Sequence, residues 1–307
     1  MRGRDLLSVS DLSADELETV LTTAAGLKRG GYPRSLAGQS LALVFEKPSL
    51  RTRVSFDVAM SQLGGHTVYL SQSEVGIGQR ESVADVARVL SRYVQGIVAR
   101  TYAQQTLVAL AQHASVPVIN ALSDEEHPCQ ALADLLTVRE RKGGVRGVRL
   151  AFIGDGNNVA TSLAQASALA GAHFTIASPP GYRLSEDVML QAEERARAAG
   201  GSFRAVQAPQ EAVADADVVY TDVWTSMGQE DSHVRRLAAF AGYQVTPQLM
   251  ALARKDAIFM HDLPAHRGEE IVDEVIEGAQ SAVFDQAENR LHAQRAVLLL
   301  LLGDAAE

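Results

Sequence analysis

Residues 47 to 53 read Lys-Pro-Ser-Leu-Arg-Thr-Arg, between an apolar strand-like run (Leu41 to Phe45) and a helix-like stretch (Val54 to Leu63). Such a segment can trap an anion. The arginines Arg51 and Arg53, the hydroxyls of Ser49 and Thr52, and the N–H groups of a helix start, that of Leu50 among them, can converge on one small dianion. A first helical turn leaves donors outside the hydrogen-bond ladder, and the helix dipole favours negative charge there. Phosphate fits well, because the planar fork of arginine binds two oxygens at once. A surface turn with scattered charges would contain the same residues, so the rest of the chain has to decide.

Three further segments could serve the same chemistry. His127, Pro128, Cys129 and Gln130 open a helical pattern through Leu132, Leu135, Leu136 and Val138, which puts His127 and Gln130 on one face of its first turn. Asp222 to Gly228 (Asp-Val-Trp-Thr-Ser-Met-Gly) follows the strand-like Asp217 to Thr221, and His261, Asp262, Leu263 and Pro264 follow the strand-like Ala257 to Met260. Each stands at the C-terminal end of a strand, where open α/β sheets bind their ligands. Taken alone, each has a mundane use: a helix-start residue at His127, a turn former at Asp222, a core anchor at Trp224, a buried hydrogen-bonded histidine at His261. Their order and combination point to a site. Cys129 is the sole cysteine. It diverges from His127 on the helix, and packing suits it better than nucleophilic catalysis.

With these motifs the chain resembles the ornithine carbamoyltransferases, within the aspartate/ornithine carbamoyltransferase family. Ser49 to Arg53 matches the Ser-x-Arg-Thr-Arg signature, His127 to Gln130 the His-Pro-x-Gln motif, Asp222 to Gly228 the Asp-x-Trp-x-Ser-Met-Gly motif, and Glu288, Asn289 and Arg290 the C-terminal Glu-Asn-Arg element. The first two are shared by transcarbamylases in general. The Ser226, Met227, Gly228 loop points to ornithine rather than aspartate, putrescine or an acylated ornithine. One position departs: the family usually has His-Cys-Leu-Pro where this chain has Asp262 after His261.

The positioning elements follow from periodicity. Ser13 and Glu16 form a capping box ahead of Leu17, Val20, Leu21 and Leu27. Apolar runs at Val68 to Leu70, Gly96 to Ala99 and Val116 to Ile119 alternate with helical patterns at Ser82 to Tyr93 and Gln104 to His113. A long helix, Pro128 to Arg141, should stop at Gly143 and Gly144. Strands are then expected at Arg149 to Ile153, His173 to Ala177, Phe203 to Val206, Val218 to Thr221, Ile258 to Met260 and Ala282 to Phe284, with a last helix from Ala287 to Leu302. The expected fold is α/β, with two doubly wound parallel-sheet domains of similar size, residues 1–143 and 144–286. The resemblance implies that the C-terminal helix, 287–307, packs back on the N-terminal domain and carries Arg290 to the site.

Composition bounds the function. The 307 residues suffice for two cores, and 47% hydrophobic with 21% charged residues describes a globular chain. With 28 basic against 37 acidic residues, net −9, nucleic acid is a poor partner. The aliphatic run Ala296 to Leu302 is too short to span a bilayer, so no membrane partner and a cytoplasmic location are expected. Gly154 to Asn158 (Gly-Asp-Gly-Asn-Asn) follows a strand as a dinucleotide fingerprint would, but Val159 stands where a third glycine is needed.

The resemblance implies transfer of the carbamoyl group of carbamoyl phosphate to the δ-amine of L-ornithine, in arginine biosynthesis. Ser49, Leu50, Arg51, Thr52 and Arg100 would hold the phosphate; His127, Arg290 and Arg100 would polarise the carbonyl, and Gln130 would bind the carbamoyl amide. Asn158 would take the α-carboxylate of ornithine, Asp222 its α-ammonium with Ser226 and Met227, while Asp262 and Leu263 would close the pocket near the reacting nitrogen. Neither metal nor cofactor is needed, since arginines and helix termini already supply the positive field. The implied assembly is a homotrimer or a multiple of trimers. In relatives the loop matching Gly76 to Glu81 reaches a neighbouring subunit's site, often through a glutamine where this chain has Gly76, and Gln79 or Arg80 could substitute.

Overall fold

The computed structural model describes residues 1–226, 228 and 230–303. The chain divides into two compact units, Met1–Ala133 with Asn289–Glu307, and Asp134–Glu288. The first contains β1 (Ser40–Phe45), β2 (His66–Ser71), β3 (Gly96–Arg100) and β4 (Val118–Leu122), parallel throughout in the order β2-β1-β3-β4. The second contains β5 (Arg149–Ile153), β6 (His173–Ala177), β7 (Ser202–Val206), β8 (Val218–Thr221) and β9 (Ile258–Met260), parallel in the order β7-β6-β5-β8-β9. Strand order reverses between β1 and β3 in one sheet and between β5 and β8 in the other, and such switch points open a crevice at the carboxyl ends.

The central strands are near-continuous apolar runs because helices cover both faces of a parallel sheet. Leu41 to Phe45 and Ile97 to Ala99 are buried in the first unit, and Leu150 to Ile153 and Val218 to Tyr220 in the second. Helix starts follow local chemistry. Ser13 and Glu16 make the expected capping box, Gln104–His113 is a helix as expected, and the long helix runs Pro128–Lys142, stopping before Gly143 in the left-handed region (φ 77°).

Two expectations need correction. The helix after the anion motif begins at Leu50 rather than Val54, because Ser49 is its N-cap and accepts from the Thr52 N–H at 3.3 Å. The strand expected at Ala282 to Phe284 is absent: Ser281 makes one isolated bridge to Phe259, and the last helix already starts at Val283. Three apolar residues satisfy either period, and here hydrogen bonding settles the matter, the Gln286 N–H donating to the Ala282 carbonyl at 2.9 Å.

A buried polar network ties that helix start to the end of β9. The Gln286 amide donates to Asp134 (2.8 Å) and to the Tyr220 hydroxyl (2.9 Å), while its oxygen accepts from the His261 N–H at 2.9 Å. Gln286→Leu removes three hydrogen bonds without reducing packing volume. An unfolding penalty of about 1–3 kcal/mol for each buried group left unsatisfied is the expected scale. Urea unfolding followed by the fluorescence of Trp224, the only tryptophan, reads it directly; a midpoint equal to the parent's would show that the network does not stabilise the unit.

Candidate active site

In the first unit the anion motif leaves β1 and Arg100 ends β3, the two strands that flank the switch point. Phe45 pairs in register with Arg100, and the Glu46 N–H donates to the Arg100 carbonyl at 2.8 Å. The anion segment and the arginine are thereby neighbours by topology. Ser49 caps the helix, Leu50 turns its side chain to solvent, Arg51 is half-buried and Thr52 is buried. The N–H groups of Leu50 and Arg51 lie in the first turn, outside the intrahelical ladder. Arg53 points elsewhere, its guanidinium 3.8 Å from the centroid of the Tyr69 ring.

The second source is the segment after β4. The Gln130 and Ala131 N–H groups donate to the His127 carbonyl (3.1 and 3.2 Å), so His127 stands at the helix mouth with Pro128 in the first turn. His127, Gln130, Arg100 and Arg290 are all buried. Arg290 comes from the last helix, and its Nη2 donates to Thr52 Oγ1 at 2.8 Å, which joins the C-terminal helix to the anion motif. Burial, then the Arg290 and Arg100 guanidinia, hold the His127 pKa well below the usual imidazole range. His127 is therefore a neutral donor among cations. Burial pushes the Cys129 thiol up to about 12, and its Sγ contacts the Asn120 carbonyl at 3.5 Å, so it is packed rather than reactive.

The second unit assembles an acidic counterpart. Asp222 follows β8 and the Gly154–Asn158 segment follows β5, again on the two strands beside the switch point. The Asn157 amide nitrogen donates to Asp222 Oδ2 at 2.6 Å, and its oxygen accepts from the Val159 and Ala160 N–H groups at 3.0 Å as the N-cap of helix Asn158–Leu169. The N-cap role of Asn157 and its bond to Asp222 escaped the sequence reading, although a strand followed by Asn and a helical pattern is an N-cap signal. Asn158 starts the helix, half-buried. Trp224 is buried and stacks on Phe240 (5.5 Å between centroids), while Ser226 is half-buried; Met227 lies outside the described residues.

Asp222, His261 and Asp262 each bring a potential ligand atom within 4.8 Å of the others. Burial, then the neighbouring Asp262 carboxylate, raises the Asp222 pKa well above the carboxylate range, against the opposing pull of His261 and Asn157. His261 Nε2 faces the fully buried Glu270 carboxylate at 3.1 Å, and Nδ1 accepts from the Leu263 N–H at 2.9 Å, with Asp262 Oδ1 at 3.4 Å. Burial lowers the ring's pKa, but Asp262 and Glu270 outweigh it and draw it up to about 10. The Leu263 N–H approaches Nδ1, so the proton on Nε2 is the one that Glu270 accepts. Leu263 itself adopts φ 60°, a left-handed conformation uncommon for a branched residue and held by that bond. Glu270 had no sequence signal, since it sits among charged neighbours that read as surface.

One unit thus concentrates guanidinia around a neutral imidazole, and the other carboxylates around a second one. Known proteins resemble this chain over nearly its whole length. Residues 4–140 match the family model "Aspartate/ornithine carbamoyltransferase, carbamoyl-P binding domain", and residues 146–301 match the corresponding "Asp/Orn binding domain". The ornithine carbamoyltransferase of Acidothermus cellulolyticus is 56% identical over 305 residues, covering 99% of this chain and 97% of that protein. "Ornithine carbamoyltransferase, anabolic" of Pyrococcus furiosus is 52% identical over 307 residues, covering 99% of this chain and 98% of that protein. The solved ornithine carbamoyltransferase structure from Pyrococcus furiosus superimposes with a TM-score of 0.96 at 51% identity, covering 99% of each chain. Both family domains, in order and over nearly the full length, make this chain a member of the aspartate/ornithine carbamoyltransferase family.

Proposed function

We propose that the protein is a cytoplasmic carbamoyltransferase of arginine biosynthesis, transferring the carbamoyl group of carbamoyl phosphate to the δ-amine of L-ornithine to give L-citrulline and phosphate. The observation that carries this reading is the opposite charge of the two strand-end sites: guanidinia and a helix N-terminus on one unit, a carboxylate cluster with asparagines on the other. The first suits a phosphate dianion, the second an ammonium-bearing substrate. Among the described residues no helix is long and apolar enough to cross a membrane.

Residues 1–143 take carbamoyl phosphate and 144–286 take ornithine, with 287–307 contributing Arg290 to the first. Ser49, the Leu50 N–H, Arg51, Thr52 and Arg100 hold the phosphate and stabilise the charge that grows on it as the C–O bond breaks. Arg100, His127 and Arg290 donate to the carbonyl oxygen as it becomes an oxyanion, and a neutral His127 does so without adding a further full charge. Gln130 fixes the carbamoyl amide. Asn158 binds the α-carboxylate of ornithine, and Asp222 its α-ammonium, with Ser226 and the Met227 backbone in support. Asp262 and the Leu263 backbone lie by the δ-nitrogen, whose lone pair attacks the carbonyl carbon. No metal or cofactor enters this sequence of steps.

A carbamoyl-transfer assay that follows acceptor-dependent phosphate release with ornithine, putrescine, aspartate and N-acetylornithine, and identifies the carbamoylated product, tests the reading. Ornithine should be preferred by a wide margin. Binding of carbamoyl phosphate with no citrulline formed would instead mark a ligand-binding relative without catalysis.

For the assembly we propose a homotrimer or a multiple of trimers. Leu50, Val54 and Val58 form an exposed apolar stripe along one face of the helix Leu50–Gln62, and Val68 is exposed on the edge strand β2. Such a patch suits burial against another copy. Light scattering should give three protomers or a multiple, whereas a fully active monomer would overturn the assignment.

Arg51→Lys should lose most activity although the charge is retained, because an ammonium cannot make the two-pronged contact. A loss of about 2.7–4 kcal/mol in transition-state stabilisation is the scale for one such donor. Near-normal turnover would remove Arg51 from the catalytic set.

Asp262 sets a pH dependence. Arg267, one candidate partner for its carboxylate, is engaged instead by Asp273 at 2.5 Å and by Glu277. A carboxylate within about 4–6 Å raises an amine's pKa, so less of the δ-amine is neutral at a given pH. Asp262→Asn and Asp262→Cys should therefore reach full activity at lower pH than the parent, with weaker ornithine binding. Superimposable profiles and equal affinities would mean that only the backbone of Asp262 serves the site.

A further inference from the structure

Two segments carry the proposed contacts to the amino-acid head of ornithine, one after β5 and one after β8, and the Asn157 to Asp222 bond joins them close to the sheet. Farther out they are fastened again by one side chain that neither motif contains. Arg236, on the helix His233–Ala239, donates from Nη1 to the Asp155 carboxylate at 2.6 Å and to the Trp224 carbonyl at 2.8 Å, and from Nε to Ser232 Oγ at 3.1 Å. Its guanidinium lies 5.0 Å from the Tyr182 ring centroid. The side chains of Arg236 and Asp155 are only 12% and 10% exposed.

The surroundings leave this clasp little freedom. The Gly156 N–H donates to the Tyr182 carbonyl at 2.8 Å, and a Cβ at Gly156 would stand 2.3 Å from the Leu184 nitrogen, so the segment beside Asp155 is pinned from its other side. Phe240, which ends the helix of Arg236, packs on both Tyr182 (4.9 Å) and Trp224 (5.5 Å). Breaking one side of a buried ion pair is costly, so the pair holds both segments together or releases both.

We propose that Arg236 is a positioning residue for the amino-acid substrate: its guanidinium fixes the spacing between the Gly154–Asn158 and Asp222–Ser226 segments, and thereby the distance between the groups that take the α-carboxylate and the α-ammonium. The proposal rests on the ornithine reading of this half-site. Lysine cannot replace the fork, because one ammonium cannot reach the carboxylate, the carbonyl and the hydroxyl together. The effect should fall on the amino-acid head and spare carbamoyl phosphate.

The test uses the full-length protein with Arg236→Gln, Arg236→Lys, Asp155→Asn and the double variant Asp155→Asn/Arg236→Gln, each with its melting midpoint. Citrulline formation is measured with ornithine varied at saturating carbamoyl phosphate, and with the concentrations reversed. Arg236→Gln should raise the KM for ornithine by about tenfold to a hundredfold, the scale of loss when a positioned group is displaced. The KM for carbamoyl phosphate should hold, Arg236→Lys should recover only part of the loss, and the double variant should be no worse than the worse single one. Putrescine lacks the α-carboxylate, so turnover of putrescine relative to ornithine should rise in Arg236→Gln. An unchanged KM for ornithine with a lower melting midpoint in every variant would make the pair merely structural and overturn the proposal, as would equal rises in both KM values. If the parent forms no citrulline, the ornithine reading fails and takes the proposal with it; an active parent with kinetically unchanged variants sinks the Arg236 assignment alone.

Discussion

Ionisable groups of one kind held close together out of water govern the strand-end site of each unit. Arg100 and Arg290 are buried beside His127, and Asp222 and Glu270 are buried around His261 with Asp262 half-buried beside them. Gathering charges of one sign in a medium of low polarity costs free energy that a folded chain, stable by only about 5–15 kcal/mol in total, must offset elsewhere. The offsets are visible. His127 stays neutral, which avoids a third cation; Asn157 and the Leu263 N–H engage Asp222 and His261, and Gln286 holds the His261 backbone. On the proposed reading a substrate of opposite charge completes each cluster, so electrostatic selection of the substrate is built into the fold.

The topology makes this charge arrangement possible with few residues. In each sheet the strand order reverses once, and at each reversal two strands release their chains in opposite lateral directions, leaving room at the carboxyl edge. The segment after β1 meets the end of β3, and the segment after β5 meets that after β8. Apolar strands behind them, sealed by helices, fix the starting points, so only short excursions separate a rigid core position from a working side chain. Asp222 follows Thr221 directly, and His261 follows Met260. Short reach from a packed strand suits catalysis that depends on fractions of an ångström.

Much of this was legible in sequence because it is local. Arg149–Ile153, His173–Ala177 and Val218–Thr221 are strands where apolar runs predict them, and the Ser13 and Glu16 capping box is complete within four residues. The Ser49 N-cap was legible too, yet the helix was read from its apolar periodicity and so began too late. What escaped is non-local. Asn157 acquires its meaning from Asp222, 65 positions away, and Arg236 from Asp155, 81 positions away. Glu270 is nearer to its partner His261, but only the fold of the intervening loop turns it inward. Ala282 to Phe284 failed for another reason: a triplet is too short to display a period, and the hydrogen bonds that choose its conformation are made by flanking residues.

The burial of Cys129 has a consequence beyond packing. The sole sulfhydryl of this chain is Cys129, sealed in the core and held as the thiol. Peroxide, alkylating agents and electrophilic metabolites all need a thiolate that they can reach. This protein offers them none in its folded form. A cysteine introduced on its surface would be the one thiol that a maleimide label could modify.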